Sequence, residues 1–182
     1  LNRNVSGSYS VFRGRKTKKL ILDERIIELI TRYVDEAGLI KYINGDDLKW
    51  ILKKMNNLKK ILKDTKNIAI VGASSNPERD SFKVMKFLLD QGYKIFPVNP
   101  KEKDILGIRC YPSLKSIKER VDMVDIFRAK EFIFDLTKEA IEINTNVIWM
   151  QEGIIDEKSS SLARNCGIKV IMDQCPKKVI ES

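Results

Sequence analysis

The feature that most constrains this chain begins at Asn67. From there, short apolar runs alternate with amphipathic stretches. The runs at 67–72 (NIAIVG), 94–98, 123–127, 147–151 and 169–173 read as strands, with a weaker candidate at 108–111. Stretches at 81–91, 131–143 and 156–165 carry apolar residues at helical spacing. Strands that are apolar throughout belong in a parallel sheet covered on both faces, and the intervening helices supply the crossovers. The expected fold is therefore α/β, a doubly wound parallel sheet with strand order 3-2-1-4-5-6.

The residues before this pattern differ in charge. Residues 1–66 hold 16 basic and 8 acidic side chains, whereas 67–182 hold 18 and 17, and all five prolines lie in the second part. Three regions follow: a basic tail over 1–22, a helical hairpin over 23–66, and an α/β domain over 67–182. The tail has Arg3, Arg13, Arg15, Lys16, Lys18 and Lys19 with no acid, and reads as disordered. A remnant of an organellar targeting segment is the competing reading of that tail. Residues 23–37 place Ile26, Ile27, Ile30 and Val34 on one helical face, ahead of Gly38. A second helix from Asp46 or Asp47 carries Leu48, Ile51, Leu52, Met55, Leu58 and Leu62 on one face. Lys49, Lys53, Lys54, Lys59, Lys60 and Lys63 lie on the other. A basic amphipathic helix fits packing against its own protein, or an anionic membrane surface or acidic partner.

Composition removes several kinds of chemistry. The chain has no histidine, which excludes Ser-His-Asp and Cys-His catalysis, histidine-bearing zinc sites and a phosphohistidine relay. Its three cysteines, Cys110, Cys166 and Cys175, include no C-x-x-C pair. A disulfide framework and a four-thiolate metal site are thus unavailable, as expected of a reducing, cytoplasmic compartment. No apolar run reaches the ~20 residues of a membrane span.

In an open parallel sheet the ligand site lies beyond the carboxyl ends of the strands, where strand order reverses. Four segments should meet there: 72–81, 97–103, 127–130 and 150–153. The first, GASSNPERDS, joins a strand to a helix N-terminus, a place suited to a pyrophosphate. Gly72 also has a purely steric reading, as the one residue that fits a tight turn. Neither G-x-G-x-x-G nor a Walker pattern is present. The second segment, PVNPKEK, has Asn99 where a dinucleotide-binding domain usually has the acid that bonds a ribose hydroxyl. Lys101 and Lys103 point instead to a phosphorylated ribose, as in NADP or coenzyme A, although the same residues also make an ordinary solvated turn.

The stretches IAIVGASSNPERDSFKV, YKIFPVNP, ILGIRCYPSL, VDMVDIFR, VIWMQEGII and VIMDQCP, taken together and in this order, resemble the small stand-alone CoA-binding proteins. Their domain is similar to the CoA-binding domain of the succinyl-CoA synthetase α subunit. The resemblance covers 67–182 and implies a Rossmann-like domain whose ligand is coenzyme A. Carried onto this chain, it implies that Gly72, Ala73, Ser74, Ser75 and the turn from Arg79 to Ser81 hold the pyrophosphate. Pro97, Asn99 and Lys101 would border the adenine and phosphoribose, and Phe127 and Arg128 the middle of the ligand. Met150, Gln151, Glu152 and Gly153 would line the pantetheine side. One departure is Gln174, where the family has arginine before Cys-Pro.

Four acids stand near strand ends: Asp122, Asp125, Asp173 and Glu152. Such acids usually cap backbone amides or pair with Lys and Arg. Cys175 follows the last strand on the ligand side, as a small packed residue or as a thiol in contact with the ligand; Lys177 and Lys178 nearby would favour its thiolate. The expected function is non-catalytic binding of coenzyme A or an acyl-CoA, with no metal and no nucleic acid. The alternatives are an NADP-dependent reductase and a membrane or acidic-partner adaptor.

Overall fold

The computed structural model describes residues 9–11, 18–20 and 45–182. It divides into two compact units, 1–58 with Ser182, and 59–181. In the first unit, β1 (Tyr9–Val11) pairs antiparallel with β2 (Lys18–Leu20). At these six residues the structure departs from the expected unstructured tail. Tyr9 and Val11 are residues that favour extended backbone. The helix expected over 23–37 lies outside the described residues.

Helix α1 (Gly45–Asp64) forms where the 3.6-residue spacing predicts it. Burial increases toward its end: Trp50 and Leu52 are exposed, whereas Leu58, Ile61 and Leu62 are buried. Leu52, though on the apolar face, is among the exposed residues. Thr65 ends the helix, with its amide and hydroxyl returning to the carbonyls of Leu62 and Ile61.

The second unit holds a five-stranded, all-parallel sheet: β3 (Asn67–Val71), β4 (Lys94–Val98), β7 (Met123–Ile126), β8 (Val147–Met150) and β9 (Lys169–Ile171). The order across the sheet is β4-β3-β7-β8-β9, so the chain switches direction on either side of β3. Side chains alternate between the two faces. Val71, Phe96, Ile126, Ile148 and Met150 join Ile133 and Ala140 of α3 (Ile133–Glu142) and Ala163 of α4 (Glu157–Asn165) in one core cluster. The other face, with Ile70, Asp125 and Trp149, is the side of α2 (Asp80–Asp90), which buries Val84, Met85 and Leu88 and packs against α5 (Pro176–Glu181). Each fully buried Leu or Ile contributes about 1.5–3 kcal/mol.

The weak candidate at 108–111 is not a full sixth strand. Ile105 and Ile108 pair across a two-residue turn, Leu106–Gly107, joining β5 (Asp104–Ile105) to β6 (Ile108–Arg109). Both turn residues have positive φ, +52° and +75°, the geometry of a type I′ hairpin. Only Tyr111 then reaches the expected place beside β4, through a single parallel bridge to Val98. Pro112, which has no N–H, follows at once.

Candidate functional site

The carboxyl ends of β3, β7 and β8 open into a cavity of about 820 Å³. A second cavity of about 340 Å³ adjoins it and shares Gly72, Asn99 and Arg128. The two differ in chemistry. Arg79, Lys83, Arg128, Lys177 and Lys178 bring positive charge to the larger one, against Asp80, Glu152 and Glu181. The smaller one is bordered by Pro100, Pro112, Leu114, Phe132 and Leu136, with Lys101, Asp135 and Glu139 also in its lining. Arg128 stands between them, its guanidinium 4.5 Å from the Phe132 ring centroid.

Gly72 turns the chain out of β3 at φ +84°, and its amide donates to the Val98 carbonyl at 2.9 Å. A Cβ here would stand 2.3 Å from the Phe127 carbonyl oxygen and 2.9 Å from Cδ of Arg128. Glycine is therefore required sterically, which lets the β3 turn lie directly against the end of β7. From this turn the chain passes to α2, whose N-cap residue, Arg79, makes no side-chain cap. Among the described residues the amides of Asp80 and Ser81 find no acceptor, leaving two N–H groups at the positive end of an eleven-residue helix.

Asn99 joins the loops after β3 and β4: its Nδ2 donates to the Ala73 carbonyl at 2.7 Å, and its Oδ1 accepts the Lys101 amide at 3.0 Å. Glu102 Oε1 accepts both the amide and the hydroxyl of Ser75. The only acid of the PVNPKEK turn is thereby occupied by the glycine loop.

Of the residues expected at the site, Gly72, Ala73, Ser74, Arg79, Ser81, Asn99, Phe127, Arg128, Gln151, Glu152 and Cys175 line the larger cavity, and Lys101 lines the smaller. Four do not line either. Pro97 is buried within β4, where its carbonyl accepts the Tyr111 amide, and Met150 is fully buried in the core cluster. Ser75 is turned to Glu102, and Gly153 is held in its turn by a 2.8 Å bond from its amide to Asp173 Oδ1. Lys83, Lys177 and the segment of α5 that carries Lys178 and Glu181 were not anticipated as cavity walls. A signal existed in Pro176 followed by Lys177 and Lys178, since proline at the first helical position marks a helix start.

The acids near strand ends divide. Asp122 accepts the amides of Lys66 and Asn67, Asp173 accepts Gly153, and Glu152 pairs with Lys178 at 2.8 Å. Asp125 behaves differently. It is completely buried in β7, its Oδ1 is 2.6 Å from Gln151 Nε2, and its Oδ2 has no partner. Burial pushes its carboxyl up to about 7, against the smaller opposing effects of the Gln151 and Ile126 hydrogen bonds.

Burial also raises the Cys175 thiol, outweighing the amides of Lys178 and Lys177 that favour its thiolate; Asp125 and Glu152 raise it further. Cys175 therefore lines the cavity with its proton favoured, against the pull of Lys177 and Lys178 toward the thiolate. Cys110 is buried and pushed up to about 11, and Cys166 is exposed just after α4. Among the described residues no group of three or more acids or cysteines is arranged to hold a metal, and no helix is long and apolar enough to cross a membrane.

A parallel sheet with a glycine turn at its switch point and a cation-rich cleft beyond its strand ends defines a Rossmann-like nucleotide-binding domain. Residues 66–181 match the CoA binding domain family, and the chain belongs to it. The chain is 39% identical to the uncharacterised protein YneT of Bacillus subtilis over 120 residues, covering 66% of this chain and 89% of that one. It is 30% identical over 121 residues to the α subunit of ADP-forming acetate–CoA ligase II of Pyrococcus furiosus. That match covers 60% of this chain but only 26% of the subunit. A hypothetical protein of Pyrococcus horikoshii has a similar structure, with a TM-score of 0.68 at 35% identity, covering 70% of this chain and 89% of that one.

Proposed function

We infer that this chain binds coenzyme A, or an acyl-CoA, in the paired cavities and carries out no chemistry on it. The observation that carries the reading is the division of the cleft. Coenzyme A is a phosphorylated nucleoside diphosphate with a flat base at one end and a long amide arm at the other. The larger cavity supplies Arg79, Lys83 and the free amides of Asp80 and Ser81 for a pyrophosphate. The smaller supplies an apolar border for a base, with Lys101 beside it for a ribose phosphate. Family membership supports the same ligand. The lack of histidine removes the usual proton carrier at neutral pH and supports binding without catalysis.

Lys101 gives a specific test, because it lines the smaller of the paired cavities and Lys103 lines neither. Lys101→Ala should weaken coenzyme A by about fivefold, the equivalent of roughly 1 kcal/mol for an exposed charge pair, and leave 3′-dephospho-CoA unaffected. Calorimetric titration of both ligands decides it. Equal weakening of the two would remove Lys101 from the phosphate.

A further inference from the structure

We propose that Asp125 is a positioning residue that acts through Gln151: its protonation decides whether the Gln151 amide offers the cleft an oxygen acceptor or an N–H donor. The proposal rests on the coenzyme A reading for its ligand and on the geometry of β7 and β8 for its mechanism. Gln151 follows β8 and lines the larger cavity, while Asp125 lies behind it with no exposure. The 2.6 Å contact between them joins the two side chains directly, beside a weaker effect of the Ile126 amide on the carboxyl. Gln151 Oε1 accepts no hydrogen bond there.

An ionised carboxylate only accepts, so it must face Nε2 and leave Oε1 toward the cleft. A protonated carboxyl has a donor to satisfy. With Oδ2 walled off, the proton is satisfied only on Oδ1, donating to Oε1, and the amide then turns Nε2 toward the cleft. A length of 2.6 Å is ordinary for such an O–H···O bond and short for an amide N–H···O bond. The strand neighbours of Asp125, Ile70 and Trp149, carry no charge. The titratable and charged groups around it are Cys175 after β9, Glu152 after β8, Arg128 after β7, Asp80 and Lys83 of α2 with Arg79 before it, and Lys177, Lys178 and Glu181 of α5. Titration of Asp125 near pH 7 changes the charge behind the cleft. For a polyanionic ligand, protonation acts twice in one direction: it removes a negative charge and presents a donor.

The test compares wild type with Asp125→Asn, whose amide imitates the neutral acid, by titrating coenzyme A at pH 6 and pH 8.5. Titration of the ligand itself is common to both proteins and cancels in their ratio. The variant should bind about fivefold tighter than wild type at pH 8.5 and equally at pH 6. The same ratio at both values overturns the proposal. A measurement on wild type alone stands beside it, in case the variant does not fold: NMR of the Gln151 side-chain amide in the free protein. Those resonances should shift with the Asp125 carboxyl titration, and an amide that ignores that titration overturns the proposal. If coenzyme A fails to bind at either pH, the ligand reading falls, while the free-protein titration still decides the positioning role.

Discussion

Adding one methyl group at Gly72 would place a carbon inside the contact distance of the Phe127 carbonyl, in a backbone conformation that L side chains avoid. Gly72→Ala should therefore cost about 2–4 kcal/mol of stability, seen as a clear fall in the urea midpoint. A change below about 0.5 kcal/mol would show that the ends of β3 and β7 are not packed as described. Asp125 gives the opposite kind of prediction. Its carboxyl holds its proton to about pH 7 in the folded chain but only to about its ordinary value of 3.8 when unfolded. The native state thus binds more protons between these values, and stability falls as pH rises from about 4 through about 7, then levels. Asp125→Asn removes this loss, so its advantage over wild type should widen across that window, reaching on the order of 2–4 kcal/mol above it. Denaturant curves at pH 5 and pH 8 check this; a constant difference would mean that the carboxyl titrates normally. In the sequence Asp125 stands near a strand end, like the acids that cap or pair. Only the pleat shows that it points into the sheet's α2 face rather than to solvent.

At the scale of elements, the start of α4 is written in a single capping acid. Asp156 precedes α4 and accepts the Ser159 amide at 2.8 Å, which holds its carboxyl below the ordinary range. Asp156→Ala should cost about 1 kcal/mol at neutral pH. The folded value lies below the unfolded one, so that contribution is present above about pH 4 and lost as pH falls further. Melting curves of the two proteins should converge as pH falls well below that point, and a gap that persists would assign the effect to packing. The parallel strands were legible because strands buried on both faces are apolar throughout, as in β7 and β8. The segment at 108–111 was not: its apolar content resembles a strand, but the Leu106–Gly107 turn folds it back on β5. Helix α5 was missed because six residues are too short to show a helical period.

At the scale of the whole molecule, the sheet order explains why residues far apart in sequence share one cleft. Loops after β3, β4, β7 and β8 meet where the chain leaves β3 in both directions, and the segment after β9 brings Cys175, Lys177 and Lys178 to the same end. Topology alone points to the loops, but the sequence does not separate residues that face the cleft from neighbours that face the core. Gln151 and Met150 are adjacent in the chain and take opposite roles, because successive side chains point to opposite faces. The central claim is that the divided cleft of residues 66–181 takes coenzyme A. The most direct measurement is calorimetric titration of the wild-type chain with coenzyme A and, separately, with NADP, at neutral pH and fixed salt. The account predicts saturable one-to-one binding of coenzyme A, at least tenfold tighter than NADP and weakened by salt, as expected for phosphate contacts made by Lys and Arg. Tighter binding of NADP, or no binding of coenzyme A at millimolar concentration, would contradict it.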